Sequence, residues 1–196
     1  MNTEDITDIS IDLETLGTRP GCPILSIGLA GFNYRTGEVK SIGEIGPIDL
    51  HEQIAKYGLQ PSGDTIRWWV TQKRSAKDGV FDGAELSVQA AISKLVDTLP
   101  MDDDVSHPRC PLRVWGNGAT FDISILEAFY AECDVLFYGQ HELFSHRNVR
   151  DMRTIMGLAG MSSKSIPFEG TPHTALDDAT HQAKCIVAAM EKLGVA

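Results

Sequence analysis

Alternation of apolar and polar positions governs the start of the chain. Ile9, Ile11 and Leu13 recur at every second residue, with Ser10, Asp12 and Glu14 between them. This period predicts a strand over about residues 6–13 with one apolar and one polar face. A second strand is predicted over about residues 24–34. The Arg35-Thr36-Gly37 turn leads to a third that ends near Ile45. So short a connection makes that pair antiparallel. Beyond it the period lengthens. Residues 65–81 read as helical but irregular, and residues 83–99 as a helix with Leu86, Ala90, Leu95 and Val96 on its apolar stripe. A short buried strand at 112–115, a helix at about 119–133, a strand end and helix within 146–161, and a last helix at about 174–193 follow. The apolar face of the last helix is Ala175, Leu176, Ala179, Ala183, Ile186, Val187, Met190 and Leu193. Residues 101–111, with three consecutive aspartates, and 162–170 read as loops. Three strands followed by alternating helices and strands predict an α/β fold, a mixed sheet with helices packed against it. No Gly/Ser/Pro linker divides the 196 residues, so a single domain over 1–196 is expected.

Composition narrows the field of functions. A formal charge of −10 argues against a basic coat that grips a long duplex. It leaves room for a nucleic-acid end held in a small cleft where bound cations reverse the local sign. No apolar run approaches the roughly 20 residues of a membrane span. The acidic opening MNTEDITDIS is not expected to act as a secretory signal. Cys22, Cys110, Cys133 and Cys185 are scattered, with no CxxC pair. Reduced thiols and a cytoplasmic location are therefore the expectation.

The acids carry the candidate chemistry. Asp12 and Glu14 share one face of the first strand near its end, where loops shape binding sites. Paired carboxylates so placed suit hard divalent cations, and they equally suit a solvated strand face. Asp122 stands in the first turn of a helix and shares a face with Ile125, Leu126 and Phe129, so it is expected to point inward. An inward acid is rare unless paired or bound to a metal, although an acid in a first turn also complements the helix dipole. The GNG at 116–118 suits a tight turn or a close backbone approach. In GTPHTALDDATHQAK (170–184), Thr171 or Thr174 is expected to cap the helix. Helical phase does not choose between Asp177 and Asp178, which lie off opposite borders of the apolar stripe. His173 precedes them. Taken together, a strand pair, an inward helix acid and an acid with a histidine form the donor set of a two-metal phosphoryl-transfer site, with an imidazole to take a proton from water. No GxSxG and no GxxxxGK[ST] occurs, so neither a serine hydrolase nor a P-loop ATPase is indicated.

These residues resemble the motifs of the DEDDh exonucleases, the DnaQ-like branch of the ribonuclease H-like fold. DLET (Asp12 to Thr15) is similar to the family's first motif, NGATFD (ending at Asp122) to its second, and HTALDD (His173, Ala175, Asp178) to its third. DLETLGTRPGCPILSIG, RWW, VWGNGATFD, VRDMRTI and FEGTPHTALDDATHQA look like the phage exonuclease A and mycobacterial-type exoribonuclease group. The resemblance runs from Ile9 to about Met190. It implies a mixed five-stranded sheet with its first three strands antiparallel. It also implies 3′→5′ release of nucleoside 5′-monophosphates with two divalent ions, Mg²⁺ or Mn²⁺. Asp12, Glu14, Asp122 and Asp178 would be the ligands, with Asp12 bridging both ions, and His173 the general base. Asp178, not Asp177, is then the fourth acid.

The backbone at Thr15 and Leu16 would receive the terminal nucleotide, with the Leu16 side chain a wedge against a base or equally part of the core, and Asn117 would touch substrate or hold its turn. Trp68 and Trp69 are adjacent and do not share a helix face, so one is expected in the core and the other is free to stack on a base or equally to make a core or dimer contact. Asp151 reads as a helix cap, and Arg147, Arg150 and Arg153 as a local positive patch or as ordinary surface pairs. The expected partners are single-stranded or 3′-overhang DNA or RNA. A homodimer is among the forms the resemblance allows. A proofreading subunit and a non-catalytic nucleic-acid-binding module are the alternative readings.

Overall fold

The strand that carries the first two acids is central. A computed structural model describes residues 6–101, 110–133 and 142–195, and in it the first strand, β1, spans Asp8–Thr15. β1 pairs antiparallel with β2 (Ile24–Asn33), which pairs antiparallel with β3 (Glu38–Ile45). On its other edge β1 pairs in parallel with β4 (Arg113–Gly116), and β4 in parallel with β5 (Val149–Asp151). The order is β3-β2-β1-β4-β5, the mixed five-stranded sheet that the family resemblance implies.

Seven α-helices and a 3-10 turn at Ser163–Ser165 complete the described residues: α1 (Leu50–Ala55), α2 (Gly63–Thr71), α3 (Arg74–Phe81), α4 (Val88–Thr98), α5 (Asp122–Cys133), α6 (Met152–Leu158) and α7 (Ala175–Lys192). The irregular stretch at 65–81 is thus two helices, broken at Gln72 and Lys73. α1 has no counterpart in the sequence reading. The aspartate run of the 101–111 loop lies outside the described residues.

Both faces of the sheet are covered. Ile9, Ile11 and Leu13 join Ile27 and Leu29 under α4 and α5, against Ile92, Leu95, Ile125, Leu126 and Phe129. Each such side chain contributes about 1.5–3 kcal/mol on burial. On α4 the buried positions are Val88, Ala91, Ile92 and Leu95, whereas Ala90 is exposed. The buried stripe is therefore rotated from the expected one, and the helix starts later, at Val88, behind its Ser87 cap. On the opposite face Ala30, Phe32 and Trp115 pack against α6 and α7 through Met152, Met156, Ala179, Ala183 and Ile186. α7 thus covers the polar face of β1, and Ser10 is fully buried there. The solvated-face reading of that strand is overturned.

Two polar devices fix the sheet. The buried Asp8 carboxylate accepts two hydrogen bonds from Arg113, at 2.6 Å each, and one from Trp115 Nε1 at 2.8 Å, which locks β1 to β4. The buried amide of Gln53 donates to the Ile24 carbonyl and accepts from the Ile24 N–H, at 2.8 Å each, closing the start of β2. No helix among the described residues is long and apolar enough to cross a membrane.

Candidate active site

β1 and β4 run in parallel, so the ends of both strands and the loop into α5 meet at one edge of the sheet. β1 continues to Thr15, two residues beyond the expected end, because a bulge between Glu14 and Thr15 lets it stay paired with β2. Asp12 and Glu14 are therefore held in the ladder and not on a turn. After Gly116 the chain turns sharply at Gly118, whose φ of 102° favours glycine. It then starts α5 at Asp122, which is 2% exposed. A side chain at Gly116 would crowd the Asp122 carboxylate, so that glycine is the close approach that the GNG stretch suggests. One Asp122 oxygen, Oδ2, is buried and has no hydrogen-bond partner among the described residues.

α7 brings the remaining groups. Its first turn lies on Gly28, the residue paired with Asp12, and a Cβ there would collide with the Ala175 carbonyl. Thr174 occupies the N-cap position but makes no side-chain cap bond. The two aspartates satisfy the loop instead: Asp177 Oδ2 accepts from the Thr171 N–H at 2.8 Å, and Asp178 Oδ2 from the His173 N–H at 2.6 Å. This corrects the threonine caps. It also separates the two acids, since Asp177 serves the 170–171 turn while Asp178 turns toward β1. Glu14, His173 and Asp178 each place a ligand atom within 4.8 Å of the other two.

Charge accumulates where these groups meet. Burial first, then the charges of Asp122, Glu14 and Asp178, hold the Asp12 carboxyl well above the usual carboxylate range. Burial, then Asp178, Glu44 and Asp122, push Glu14 up to about 8. Burial pushes Asp122 up to about 7 against the hydrogen bonds of the Asn117 and Leu13 backbones. Asp178 is raised by burial and eased by the His173 N–H. Acids gathered in this way resist joint ionisation near neutral pH, and a bound cation relieves them. The all-oxygen donor set and the unpartnered Asp122 Oδ2 fit hard divalent ions.

Gln182 belongs to this site and was not singled out from sequence. It is 3% exposed. Its Nε2 donates to Asp12 Oδ1 at 2.6 Å and its Oε1 accepts from Ser10 at 3.3 Å. Its one sequence signal is the four-residue step from Asp178, which puts both on one side of α7.

The site lies between two cavities. One of about 390 Å³ is lined by Glu14, Thr15, Asp64, Trp68, Trp69 and Phe121 among others. The other, about 610 Å³, is lined by Asp12, Asn117, Lys164, Phe168, Asp178 and His181 among others. Trp69 is in the core at 3% exposed, and its Nε1 donates to the Thr15 carbonyl at 2.9 Å. Trp68 is 42% exposed. The Leu16 side chain is in the core with Leu25, Trp69, Ala76 and Val80; its N–H donates to the Pro23 carbonyl and its own carbonyl accepts from the Ser62 N–H. Asn117 accepts from Arg153 Nε at 3.0 Å. Asp151 caps α6 through the Thr154 N–H at 2.7 Å and accepts from the Ala119 N–H at 2.8 Å, so it is a structural acid. Arg150 donates to the carbonyls of Arg147 and Val149.

A family model described as the 3′-5′ exoribonuclease Rv2179c-like domain matches residues 7–190. No curated protein matches the chain. The structure of cell-death related nuclease 4 (CRN-4) aligns with a TM-score of 0.53 at 11% identity, over 97% of this chain and 65% of that one. The nuclease domain of 3′hExo, described as a DEDDh family member bound to rAMP, aligns at 0.49 and 15% identity, over 100% and 96% of the two chains. A full-length 3′-exonuclease aligns at 0.49 and 16%, over 96% and 82%. The five-stranded mixed sheet is the ribonuclease H-like one. None of these matches supports the homodimer.

Proposed function

The chain belongs to the 3′-5′ exoribonuclease Rv2179c-like domain family, and from that premise we propose that it is a metal-dependent 3′-5′ exonuclease. It shortens single-stranded RNA, or the 3′ overhang of a duplex, and releases nucleoside 5′-monophosphates. The observation that carries this reading is the convergence of Asp12, Glu14, Asp122 and Asp178 with His173 at one sheet edge, where burial raises all four acids and their neighbours' charges raise Asp12 and Glu14 further. The choice of RNA over DNA rests on the family description.

Asp12, Glu14, Asp122 and Asp178 would hold two divalent ions, Mg²⁺ or Mn²⁺. Such ions, when bound, lower the pKa of water and stabilise charge developing on the phosphoryl oxygens. His173 takes the proton of the attacking water. Gln182 orients Asp12 through its 2.6 Å hydrogen bond. The cavity walled by Thr15 and Trp68 takes the terminal nucleoside. The cavity beyond Asp12 takes the preceding nucleotide, with Phe168 offered to its base and Lys164 to a phosphate.

Matched single-stranded RNA, single-stranded DNA and 3′-overhang duplexes, labelled at the 5′ end, test the reading. A ladder that shortens from the 3′ end with Mg²⁺ or Mn²⁺, fastest on RNA, is expected. Asp178→Asn and His173→Ala are expected to lose most turnover with an unchanged circular dichroism spectrum. Strands left intact with both metals would point to a non-catalytic binding module.

A further inference from the structure

His173 is held in an unusual way. Its φ of 65° makes it the sole non-glycine residue in the left-handed region among the described residues. Such backbone persists where the surroundings over-determine it. The backbone is fixed by the 2.6 Å bond from the His173 N–H to Asp178. The imidazole is a separate matter. A general base ordinarily has its ring oriented by a third, hydrogen-bonding group. Among the described residues no hydrogen bond to the His173 ring is present, and its ring contact is the indole of Trp68, edge-on at 5.1 Å between centroids with the planes at 90°.

That indole rests against the core. Trp68 lies against Trp69, with centroids 5.0 Å apart. Trp69 is buried and bonded to the Thr15 carbonyl at the end of β1, one residue beyond Glu14. The Ser62 cap of α2 donates its N–H to the Leu16 carbonyl at 2.6 Å. α2 is thereby tied to the strand that carries two of the acids. The same indole walls the 390 Å³ cavity beside Glu14.

We propose that Trp68 is a positioning residue that sets the orientation of the His173 imidazole and transmits to it the presence of a terminal base in the neighbouring cavity. The inference rests on the exonuclease reading. A base that fills the cavity bears on the indole, and the indole bears on the imidazole. Strands with an intact terminal base therefore meet a better-aligned proton acceptor than strands without one. Trp68 acts in this scheme on turnover, through His173, and not merely on affinity as a stacking platform would.

Steady-state kinetics of the full chain on 5′-labelled single-stranded RNA separate these roles. Trp68→Leu is expected to lower kcat by about ten-fold, the scale of an aromatic pair of this geometry, and Trp68→Phe to recover most of it. In a His173→Ala background, Trp68→Leu is expected to cost no further kcat. A Trp68→Leu effect confined to KM, or an equal loss of kcat with and without His173, overturns the positioning role. The wild-type chain gives a test that needs no substitution: a strand ending in an abasic nucleotide is expected to turn over with reduced kcat, and a change in KM alone overturns the coupling. An inactive wild-type chain would instead overturn the exonuclease reading and this inference with it.

Discussion

Asp122 carries the plainest electrostatic burden of any side chain in the site. Its Oδ2 is buried without a partner and burial pushes its carboxyl up to about 7. A neutral isostere removes the charge but keeps the shape. Asp122→Asn is therefore expected to stabilise the metal-free protein, by on the order of 1–3 kcal/mol near pH 8, and to abolish nucleotide release. Calorimetry in EDTA beside the labelled-strand assay reads both, and a destabilised or active variant would contradict the role given to Asp122. Gln182→Leu keeps the volume and removes the support of Asp12. A loss of about 10–100-fold in activity or metal affinity is expected, the usual effect of a group that orients a ligand, and isothermal titration with Mn²⁺ would show whether affinity falls with it. The acids differ in how openly the chain displays them. The period of two put Asp12 and Glu14 on one face, and the helical phase turned Asp122 inward. Neither period could separate Asp177 from Asp178, because what separates them is tertiary: Asp177 is occupied by the Thr171 N–H, and Asp178 meets Glu14. Gln182 is harder still, since its partner lies 170 residues away in the chain.

Between elements, the decisive contact is that of α7 on the sheet. Gly28 sits opposite Asp12 in the β1–β2 ladder and leaves space for the Ala175 carbonyl. Gly28→Ala is expected to lift the first turn of α7, at about 1–3 kcal/mol in stability as for other overpacked sites. The same shift carries Asp178 and His173 away from Glu14, so kcat should fall by far more than the loss of folded protein explains. Denaturant melts with kinetics at 10 °C would separate the two, and a variant that loses stability yet keeps kcat would show that the helix start tolerates displacement. Element order and type were legible because alternation marks the strands and the turn at Arg35–Gly37 fixes the first pairing. The burial of the polar face of β1 was not. A strand covered by α7 on the side of Ser10, Asp12 and Glu14 has the same alternation as one facing water. Only the packing of small residues, Ala175, Ala179 and Ala183 on α7 against β1 and β2, reveals that the helix comes close enough to exclude solvent.

At the level of the whole molecule, the raised acids tie stability to pH and to metal. Glu14 is pushed from an ordinary 4.5 to about 8 and Asp122 from 3.8 to about 7. Between the ordinary and the raised values the folded, metal-free protein binds more protons than the unfolded chain, so its stability falls as pH rises through that window. Below about pH 3.8 the penalty is absent; above about pH 8 it is complete. Divalent ions replace the protons and bind folded protein in preference, so their stabilisation should grow with pH as the acids shed protons. Melting temperatures in EDTA are expected to drop from pH 5.5 to 8.5, and the rise produced by millimolar Mg²⁺ or Mn²⁺ to be larger at pH 8.5 than at pH 5.5. A chain of net charge −10 also repels itself increasingly as pH rises, which by itself would give a falling curve. The Glu14→Gln/Asp122→Asn double variant distinguishes the two causes, because it deletes two of the four clustered acids and changes the formal charge of the chain only from −10 to about −8. If the site is responsible, the variant flattens both the pH dependence and the response to metal; if the slope survives, diffuse repulsion governs the molecule and the cluster contributes little.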